Sequence, residues 1–309
     1  MARLAIIADV HGNLPALQAV VAAVGDQADH WLCAGDITGH LPLVDEVVDI
    51  LIGLKARCVL GNHDRAFLDN TPIANSSAGT RVLQLQRHYV SQASRDWLAA
   101  LPERLDFEIA GLPIKMMHGG PASQLSQRVK SVTPEVREFA RGRLLVLGNT
   151  HVPLTEIALE HAIVNPGSVG LPTNGDRRAQ AAIFDTETRS LTSVRVDYDN
   201  EAVVSSMRNL GYDERYFNCL EAGRWIGFKG ALPPVPMIVV GAAIYGGIVA
   251  ELIDQRTDMT LAGFVDDRAK VGPGGAKILG TLDQLSDIAR EAGVVDVAVA
   301  MGDGACAAA

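Results

Sequence analysis

The sequence predicts an α/β fold built as two units. Apolar runs of strand length alternate with amphipathic helical stretches from residue 4 to residue 60, which is typical of a sheet covered by helices on both faces. Residues 227–236, with two glycines and three prolines, predict a linker. A strand, a glycine turn and a helix follow, as in a small Rossmann-like βαβ unit. We therefore predict one domain at 1–226 and a second at 237–309.

Each element of the first unit is predicted from its periodicity or its turn residues. Apolar side chains recur at helical spacing from Leu14 to Val24, whereas short uninterrupted apolar runs predict buried strands. The predicted strands are 4–8, 31–34, 58–60, 105–109, 114–117 and 144–147, then an antiparallel set at 155–159, 162–165, 181–185 and 191–196. The predicted helices are 14–24, 43–54, a helical insertion over 76–100, 201–210 and 213–222.

The composition indicates a globular protein and excludes several classes. Hydrophobic residues make up 48% and charged residues 20% of the 309 positions, which is typical of a packed core. The formal net charge of −9 gives no basic excess for binding a nucleic-acid polymer. The four cysteines are scattered without metal-type or disulfide spacing, which favours a reducing, cytoplasmic location.

No membrane segment is predicted. The first apolar run, 4–8, is too short for the core of a signal peptide. The stretch 230–250 has no charged residue, but three prolines at its start and glycines at 241, 246 and 247 divide it into a strand and the beginning of a helix.

Five polar blocks follow five of the predicted strands of the first unit. Because parallel strands deliver their carboxyl ends to one edge of a sheet, residues far apart in sequence can meet there. The blocks are Asp9-Val10-His11-Gly12-Asn13, Gly35-Asp36, Gly61-Asn62-His63-Asp64, His118-Gly119 and Gly148-Asn149-Thr150-His151.

The residue types in these blocks predict a metal site that acts on a phosphate. Asp9 and His11 are two positions apart, so on an extended segment they share one face and can hold one ion. Asp36 is placed to bridge two ions, and mixed Asp, His and Asn ligands suit Mn²⁺, Fe²⁺, Zn²⁺ or Co²⁺. Two such ions clamp a phosphate and lower the pKa of a bridging water, whose hydroxide attacks phosphorus. His63 can then protonate the departing oxygen.

These blocks, in this order, resemble the calcineurin-like metallophosphoesterase superfamily over roughly residues 1–222. The segment Asn165-Pro166-Gly167-Ser168-Val169-Gly170 resembles the corresponding segment in the small bacterial and archaeal branch of this superfamily. The resemblance implies a four-layer αββα sandwich with one or two divalent ions per chain, Mn²⁺ first, with Fe, Zn, Ni, Co or Mg as alternatives. It also implies His63 as the leaving-group acid and Asp64 as a further catalytic residue, with Asp64 or Arg65 in contact with the phosphate or with the ligands. It assigns metal one to Asp9, His11, Asp36 and His151, and metal two to Asp36, Asn62, His118 and Asn149.

The chain departs from that family at Asn149. The family pattern in the last block is Gly-His-x-His, and the first of those histidines binds metal two. An amide oxygen is a weaker ligand than imidazole for a borderline-soft ion, so metal two is expected to bind less tightly or to require a harder ion.

The second unit carries a weak nucleotide-binding pattern. A glycine turn opens a helix after strand 237–240, and a second strand, 260–265, ends in an acidic pair. The segments Gly263-Phe264-Val265-Asp266-Asp267, Ile278-Leu279-Gly280 and Gly302-Asp303 resemble the N-terminal Rossmann-like domain of sialic-acid and bacillosamine-type sugar acyltransferases. The resemblance implies a nucleotide-sugar site, which would comprise Gly241, Ala242, Tyr245, Gly246, Asp266 and Asp267. Acyl transfer is not expected, because the chain holds no hexapeptide repeat.

These observations leave two kinds of function open. The first is a metal-dependent phosphoester hydrolase, phosphatase or phosphodiesterase, with a small nucleotide or phosphorylated sugar as substrate. The alternative is a non-catalytic pseudo-phosphoesterase that serves as a nucleotide-sugar binding or assembly module. A homo-oligomer is left open, and no membrane partner is expected. Four histidines fit no block and are predicted to be surface or core residues: His30, His40, His88 and His161.

Overall fold

The computed structural model describes residues 1–73, 77–210, 212, 217–224, 235–255, 259–291 and 296–300. The chain divides into two compact units, Met1–Lys229 and Gly230–Ala309. The domain limits predicted from the sequence stay a prediction, and part of the predicted linker lies outside the described residues.

The first unit alternates strands and helices along most of its length. Its strands are β1 Arg3–Ile7, β2 His30–Cys33, β3 Arg57–Cys58, β4 Arg104–Ile109, β5 Leu112–Met117, β6 Leu144–Val146, β7 Leu154–Ile157, β8 Ala162–Asn165, β9 Ala179–Asp185 and β10 Leu191–Val196. Its helices are α1 Leu14–Val24, α2 Val44–Gly53, α3 Asn62–Asp69, α4 Ser77–Tyr89, α5 Gln92–Ala99, α6 Pro134–Phe139, α7 Asn200–Asn209 and α8 Phe217–Ala222.

Two five-stranded sheets form the centre of this unit. The first has the order β10-β9-β1-β2-β3, and the second has the order β4-β5-β6-β8-β7. Strands β1, β2 and β3 are parallel to one another, as are β5, β6 and β8. Each sheet therefore presents three parallel carboxyl ends.

The two sheets pack face to face, and helices cover their outer faces. Ile6 and Leu32 of the first sheet share an apolar cluster with Met116 and Val146 of the second. Side chains of α1 and α2 pack on the other face of the first sheet, and Val136 of α6 packs on the second. The four-layer αββα sandwich is thus confirmed.

Three features of the first unit differ from the sequence prediction. The stretch 155–197 is not one antiparallel sheet, because β8 pairs parallel with β6 while β9 pairs antiparallel with β1. The insertion 76–100 is two helices, α4 and α5, with Ser91 capping the second. Helices α3 and α6 were not predicted; α3 begins inside a ligand block, and α6 begins at a proline capped by Thr133.

The second unit is a small parallel α/β domain, as predicted. Its elements are β11 Val235–Val240, α9 Ile244–Asp254, β12 Met259–Val265, β13 Ile278–Gly280, α10 Leu285–Glu291 and β14 Asp296–Val299. The strands form an all-parallel sheet of order β13-β12-β11-β14. Strand β11 begins at Val235, two residues inside the predicted linker.

No helix in the described ranges has the length and hydropathy needed to cross a membrane. A cytoplasmic location stays a prediction.

Candidate metal centre

The polar blocks meet at one edge of the two sheets. Each block follows the carboxyl end of a parallel strand: β1, β2 and β3 in the first sheet, β5 and β6 in the second. The side chains are buried in the sandwich, with at most 6% of each exposed: Asp9, His11, Asp36, His63, His118, Asn149 and His151. Only Asn62 is partly exposed. The structure thus brings all the predicted metal-site residues together.

Most of these residues hold an unusual backbone conformation. Their φ angles are positive, a region that L-residues other than glycine, Asn and Asp rarely adopt. The values lie between 49° and 67° for Asp9, His11, Asp36, His40, Asn149 and His151. The sequence suggested that Asp9 and His11 share one face of an extended segment, and this is wrong. Tight turns with positive φ angles instead point both side chains into the site. Such backbone strain is typical of functional sites.

Hydrogen bonds between loops hold these turns in place. The Asp9 amide donates to the Gly35 carbonyl, and the His11 amide donates to the Asp36 carbonyl, both at 2.9 Å. Gly61 allows the third loop to approach closely, because a Cβ there would lie 2.0 Å from Oδ1 of Asp36. The two carboxylate loops are therefore fixed to each other before any ligand binds.

Three histidines are oriented so that one ring nitrogen faces the centre of the site. The Nδ1 atoms of His11 and His118 each lie 2.8 Å from a backbone carbonyl, of Thr38 and Ala34 respectively. Nδ1 of His151 lies 2.6 Å from the Leu171 carbonyl. Donation from Nδ1 leaves the Nε2 lone pair for an ion, which is the usual arrangement of metal-binding histidines.

Four ligand atoms form a group that can hold one ion. One atom from each of Asp9, His11, Asp36 and His151 lies within 4.8 Å of all the others. Nε2 of His11 is 3.1 Å from Nε2 of His151, and the latter is 3.4 Å from Oδ1 of Asp9. Two imidazole lone pairs at that distance repel each other unless a cation or a proton lies between them. This donor set fits the divalent ion predicted for metal one.

A second group shares Asp36. Nε2 of His118 lies 3.2 Å from Oδ2 of Asp36 and 3.1 Å from Oδ1 of Asn62. The fourth predicted ligand, Asn149, uses its amide nitrogen elsewhere: Nδ2 lies 3.3 Å from the Leu125 carbonyl and 3.4 Å from the Gln127 carbonyl. Only Oδ1 of Asn149 remains for an ion. Its backbone N–H donates to the Asp9 carboxylate at 3.1 Å.

Burial and mutual charge determine how these groups ionise. Burial raises the pKa of Asp9 to about 8. Burial alone would lower the pKa of His118, but the facing carboxylates of Asp36 and Asp9 outweigh it and raise that pKa to about 10. Burial lowers the pKa of His151 to about 3 and holds the pKa of His11 well below its usual value. The imidazoles of the metal-one group are therefore neutral at pH 7, as ion binding requires.

His63 lies at the first turn of α3, within ring contact of the site. Its ring centroid is 5.0 Å from that of His11. Its Nδ1 is buried and, among the described residues, has no hydrogen-bond partner. Burial lowers the pKa of His63; Asp36 opposes this effect, and the charges of His118 and Arg128 add to it. An unpaired buried nitrogen at this place is a candidate contact for a ligand.

Asp64 and Arg65 are differently placed. The carboxylate of Asp64 accepts hydrogen bonds from the backbone amides of Ile37, Thr38 and Gly61, at 3.2, 2.7 and 2.9 Å. Arg65 pairs with Glu103 at 3.0 Å. The geometry gives Asp64 a positioning role, joining the loops after β2 and β3, and its predicted catalytic role stays a prediction.

His40 was predicted to be a surface or core residue, and the structure places it in the site. It is 4% exposed, and its ring centroid lies 4.5 Å from those of both His11 and His63. His11, His40 and His63 form a second group whose spacing could hold an ion. The available sequence signal was its position four residues after Asp36, in a loop that begins with a ligand.

The segment 165–170 is hydrogen-bonded to the loops that carry the predicted ligands. Asn165 donates through Nδ2 to the Gly148 carbonyl at 2.7 Å and to Oγ1 of Thr150 at 3.0 Å. Ser168 donates to the Asp9 carbonyl at 2.7 Å. These bonds hold two ligand loops from opposite sheets, so the segment positions the ligands.

In the second unit, the predicted nucleotide-sugar residues gather at the start of α9. Gly241 has a φ of 95°, and Tyr245 is 60% exposed. The acidic pair, however, binds backbone: Asp266 accepts hydrogen bonds from the amides of Ala242, Arg268 and Ala269, each at 2.8 Å. Asp267 accepts one from Leu282 at 2.8 Å. Both carboxylates thus fix loops.

Comparisons with known proteins agree with this architecture. Uncharacterized protein MJ0912 from Methanocaldococcus jannaschii is 27% identical over 223 residues, which is 63% of this chain and 88% of that protein. The crystal structure of a metallophosphoesterase from Sphaerobacter thermophilus is 28% identical with a TM-score of 0.63, covering 72% of this chain and 99% of that one. Hypothetical protein PH1004 from Pyrococcus horikoshii is 21% identical with a TM-score of 0.65, covering 74% and 100%; this likeness shows the fold alone.

Two family models match the chain, one for each part. The PglD N-terminal domain matches residues 236–306. The calcineurin-like phosphoesterase superfamily domain matches residues 2–189, more than half of the chain. Together with the αββα sandwich and the ligands at its strand ends, these matches show that the chain belongs to the calcineurin-like phosphoesterase superfamily and carries a PglD N-terminal domain after it.

Proposed function

We propose that this protein is a metal-dependent phosphoester hydrolase. The observation that carries the proposal is the convergence of three Nε2 atoms, from His11, His118 and His151, on the two buried carboxylates Asp9 and Asp36. Divalent ions, when bound, would polarise a phosphoryl oxygen and lower the pKa of a water. The chain itself holds the ligand side chains in fixed positions and keeps solvent out of the site.

The residues divide between two ion positions. Asp9, His11 and His151, with Asp36, would hold the first. Asp36, Asn62 and His118 would hold the second, with Oδ1 of Asn149 as its weakest ligand. Oδ1 of Asp36 already accepts the His63 amide at 2.8 Å. Oδ2 lies 3.7 Å from Nε2 of His11 and 3.2 Å from Nε2 of His118, so Asp36 would be the residue shared by both ion positions.

His63 is the proposed proton donor to the departing oxygen. Its ring lies beside His11, and its Nδ1 has no hydrogen-bond partner among the described residues. A bound phosphate adds negative charge, which opposes the effect of burial and favours the protonated imidazole. Asp64 acts through the backbone of the loops that carry Asp36 and His63.

Hydrolysis of bis-(p-nitrophenyl) phosphate with added Mn²⁺ tests the proposal. Asp36→Ala should lose both bound metal and activity, whereas His63→Ala should keep its metal and lose activity about 10²- to 10⁴-fold, the usual contribution of a general acid. Asp49→Ala, an exposed carboxylate on α2, is the matched control. A wild-type protein that binds metal but hydrolyses no phosphomonoester or diester would favour the non-catalytic alternative.

A nucleotide-sugar site in the second unit is a second candidate function. The PglD N-terminal domain match and the exposed Tyr245 beside the glycine turn favour it. Asp266 and Asp267 already accept hydrogen bonds from backbone amides. A nucleotide-sugar would therefore be recognised by the glycine turn and by the start of α9. Calorimetry with UDP-sugars on the full chain should show binding that Tyr245→Ala weakens. If millimolar ligand gives no heat, the unit has a structural role.

A further inference from the structure

A cavity of about 290 Å³ lies beside the metal centre. Thr150, one of its lining residues, stands between the site residues Asn149 and His151 in the sequence. The amide of Thr173, another lining residue, lies 3.4 Å from the His151 carbonyl. The walls are formed by Arg128, Val129, Lys130, Thr150, Val152, Pro153, Leu154 and Thr173. The cavity is thus built on the loops that carry the ligands.

The chemistry of these walls favours an anion attached to an apolar group. Arg128 and Lys130 provide two positive charges, and no Asp or Glu is found among the described residues that line the cavity. Val129, Val152, Pro153 and Leu154 provide an apolar surface on the same walls.

The backbone that carries the two cations is held by its neighbours. Val129, between them, is 5% exposed and packs in the cluster formed by Val136, Leu145 and Ile163. The carbonyl of Gln127, just before them, lies 3.4 Å from Nδ2 of Asn149. Residues 128–130 are therefore anchored at both the core and the metal site, with the cationic residues exposed on either side of the buried one. Because the backbone is already fixed, binding of an anion by these residues requires the ordering of their side chains only.

We propose that this cavity binds a second phosphate of the substrate, through Arg128 and Lys130. The substrates are then phosphoesters in which a nucleoside-sized organic group links the scissile phosphate to another phosphate. A volume of about 290 Å³ is at the small end of ligand pockets, roughly 300–1,000 Å³, and suits one such group better than a polymer. The inference rests on the proposed hydrolase function and specifies its substrate class.

A matched pair of substrates isolates the second phosphate. Thymidine 5′-(p-nitrophenyl phosphate) and its 3′-phosphorylated form share the same reacting bond and leaving group. Wild-type protein should prefer the 3′-phosphorylated form in kcat/KM. Arg128→Ala with Lys130→Ala should lower kcat/KM for that form about 10- to 100-fold, and for the other form less than about threefold, as expected for lost charge-assisted hydrogen bonds. Arg128→Lys should be intermediate.

The control variant is Arg141→Ala with Arg208→Ala, which removes two charges from exposed ion pairs with Glu138 and Glu201. It should keep the wild-type preference. Equal thermal stability of both double variants shows that they fold. An equal loss on both substrates in Arg128→Ala with Lys130→Ala, or no preference in wild-type protein, would overturn the proposal and leave the hydrolase function intact.

Binding to metal-free protein gives a readout independent of hydrolysis. Calorimetry should show that thymidine 3′,5′-bisphosphate binds more tightly than thymidine 5′-monophosphate, and that the cavity double variant removes the difference. If no substrate is hydrolysed, the proposed function is wrong. The binding measurement still shows whether the cavity holds a second phosphate. If the two nucleotides bind with equal affinity, the second-phosphate site does not exist, whether or not the protein hydrolyses phosphoesters.

Discussion

The side chains of the metal centre depend on a backbone that is costly to hold. Each of six positive-φ residues, Asp9 and His151 among them, gives up roughly 1–2 kcal/mol relative to an ordinary conformation. Inter-loop hydrogen bonds, such as that from the Asn149 amide to the Asp9 carboxylate at 3.1 Å, offset part of this cost. An ion that neutralises the buried carboxylates offsets more. The centre is thus of a kind that an ion would stabilise.

Asn149 is the residue at which metal occupancy should change most. We expect wild-type protein to hold fewer than two ions per chain after dialysis. Asn149→His should raise this number and the turnover, because imidazole binds a borderline ion more strongly than an amide oxygen, by on the order of tenfold in affinity. Metal analysis and bis-(p-nitrophenyl) phosphate hydrolysis measure both effects.

Asn149→Gly is the matched control for this substitution. Glycine accepts the φ of 67° and keeps the amide that binds Asp9, but it offers no ligand. It should therefore hold no more metal than the wild type. Two tightly bound ions already present in wild-type protein would contradict the prediction.

The buried histidines predict how metal-free protein responds to acid. Burial lowers the folded-state pKa of four imidazoles below the ordinary 6.5: His11, His40, His63 and His151. Below about pH 6.5 the unfolded chain takes up protons that the folded chain does not, so stability falls as pH falls, by about 1.4 kcal/mol per pH unit for each proton. Asp9 and Asp64, whose pKa values are raised, keep protons in the folded chain and oppose this trend. Because two carboxyl groups oppose four histidines, the histidines determine the direction.

Above pH 6.5 the sign reverses. His118, with its pKa raised to about 10, and Asp9, with its pKa raised to about 8, keep protons that the unfolded chain releases. Stability of metal-free protein should therefore fall as pH rises from about 6.5 to 8, giving a maximum near the ordinary histidine pKa. Urea unfolding after chelation, at several pH values, measures it. A monotonic rise to pH 8 would show that the carboxylates are ionised.

Sequence alone predicted most of the residues that the structure gathers at the site, but not His40. Asp9, His11 and Asp36 come within three residues of the end of an apolar strand run, so their place at the sheet edge could be inferred from the local pattern. His40 reaches the site only because the loop after Asp36 turns back and its Leu41 amide bonds the His11 carbonyl at 2.9 Å. A turn made by a partner distant in sequence leaves little local signal, and only the position of His40 four residues after Asp36 pointed to the site.

At the scale of elements, the segment 165–170 joins the two sheets behind the site. Its amides and side chains bond the loops after β1 and β6, which lie in different sheets. Gly170 lies against the first of these loops: a Cβ there would stand 1.9 Å from the Val10 carbonyl oxygen. Because that neighbour is backbone, it cannot move without displacing Asp9 and His11.

Gly170→Ala should therefore damage both stability and metal binding. We expect a loss of about 2–4 kcal/mol in the free energy of unfolding, in the range of overpacked or strained sites, together with weaker metal retention. Gly53→Ala, at the end of α2 with nothing within 4 Å of the added Cβ, is the control and should be neutral or slightly stabilising. Unchanged metal retention in Gly170→Ala would show that the segment does not position the ligands.

Strand positions were predictable because each buried strand is an apolar run of its own. Pairing was not: β8 and β9 are both short apolar strands, yet one joins β6 and the other joins β1. The chain passes from the second sheet to the first between these two strands, after the end of β8 at Asn165. Helix α3 was missed for a different reason: its first turn is made of site residues, and its cap is the Asp64 carboxylate accepting from the Gly61 amide.

At the scale of the whole molecule, the predicted metal ligands all belong to one of two compact units. The seven positions from Asp9 to His151 lie within Met1–Lys229, and the described part of Gly230–Ala309 contributes none of them. Trp31 and Trp97 also lie in the first unit, and the sequence of 230–309 contains no tryptophan. Tryptophan fluorescence therefore follows unfolding of the metal-binding unit, whereas circular dichroism follows both.

Metal removal should separate the two units in a thermal scan. An ion at about 100 times its dissociation constant stabilises the folded state by about 2.7 kcal/mol, which for a unit of this size raises Tm by roughly 5–10 °C. We expect added Mn²⁺ to raise the fluorescence transition by that amount and to leave any separate circular-dichroism transition unchanged. Asp36→Ala should abolish the shift, and Asp49→Ala should keep it. A metal-dependent shift of both transitions would show that the units unfold as one.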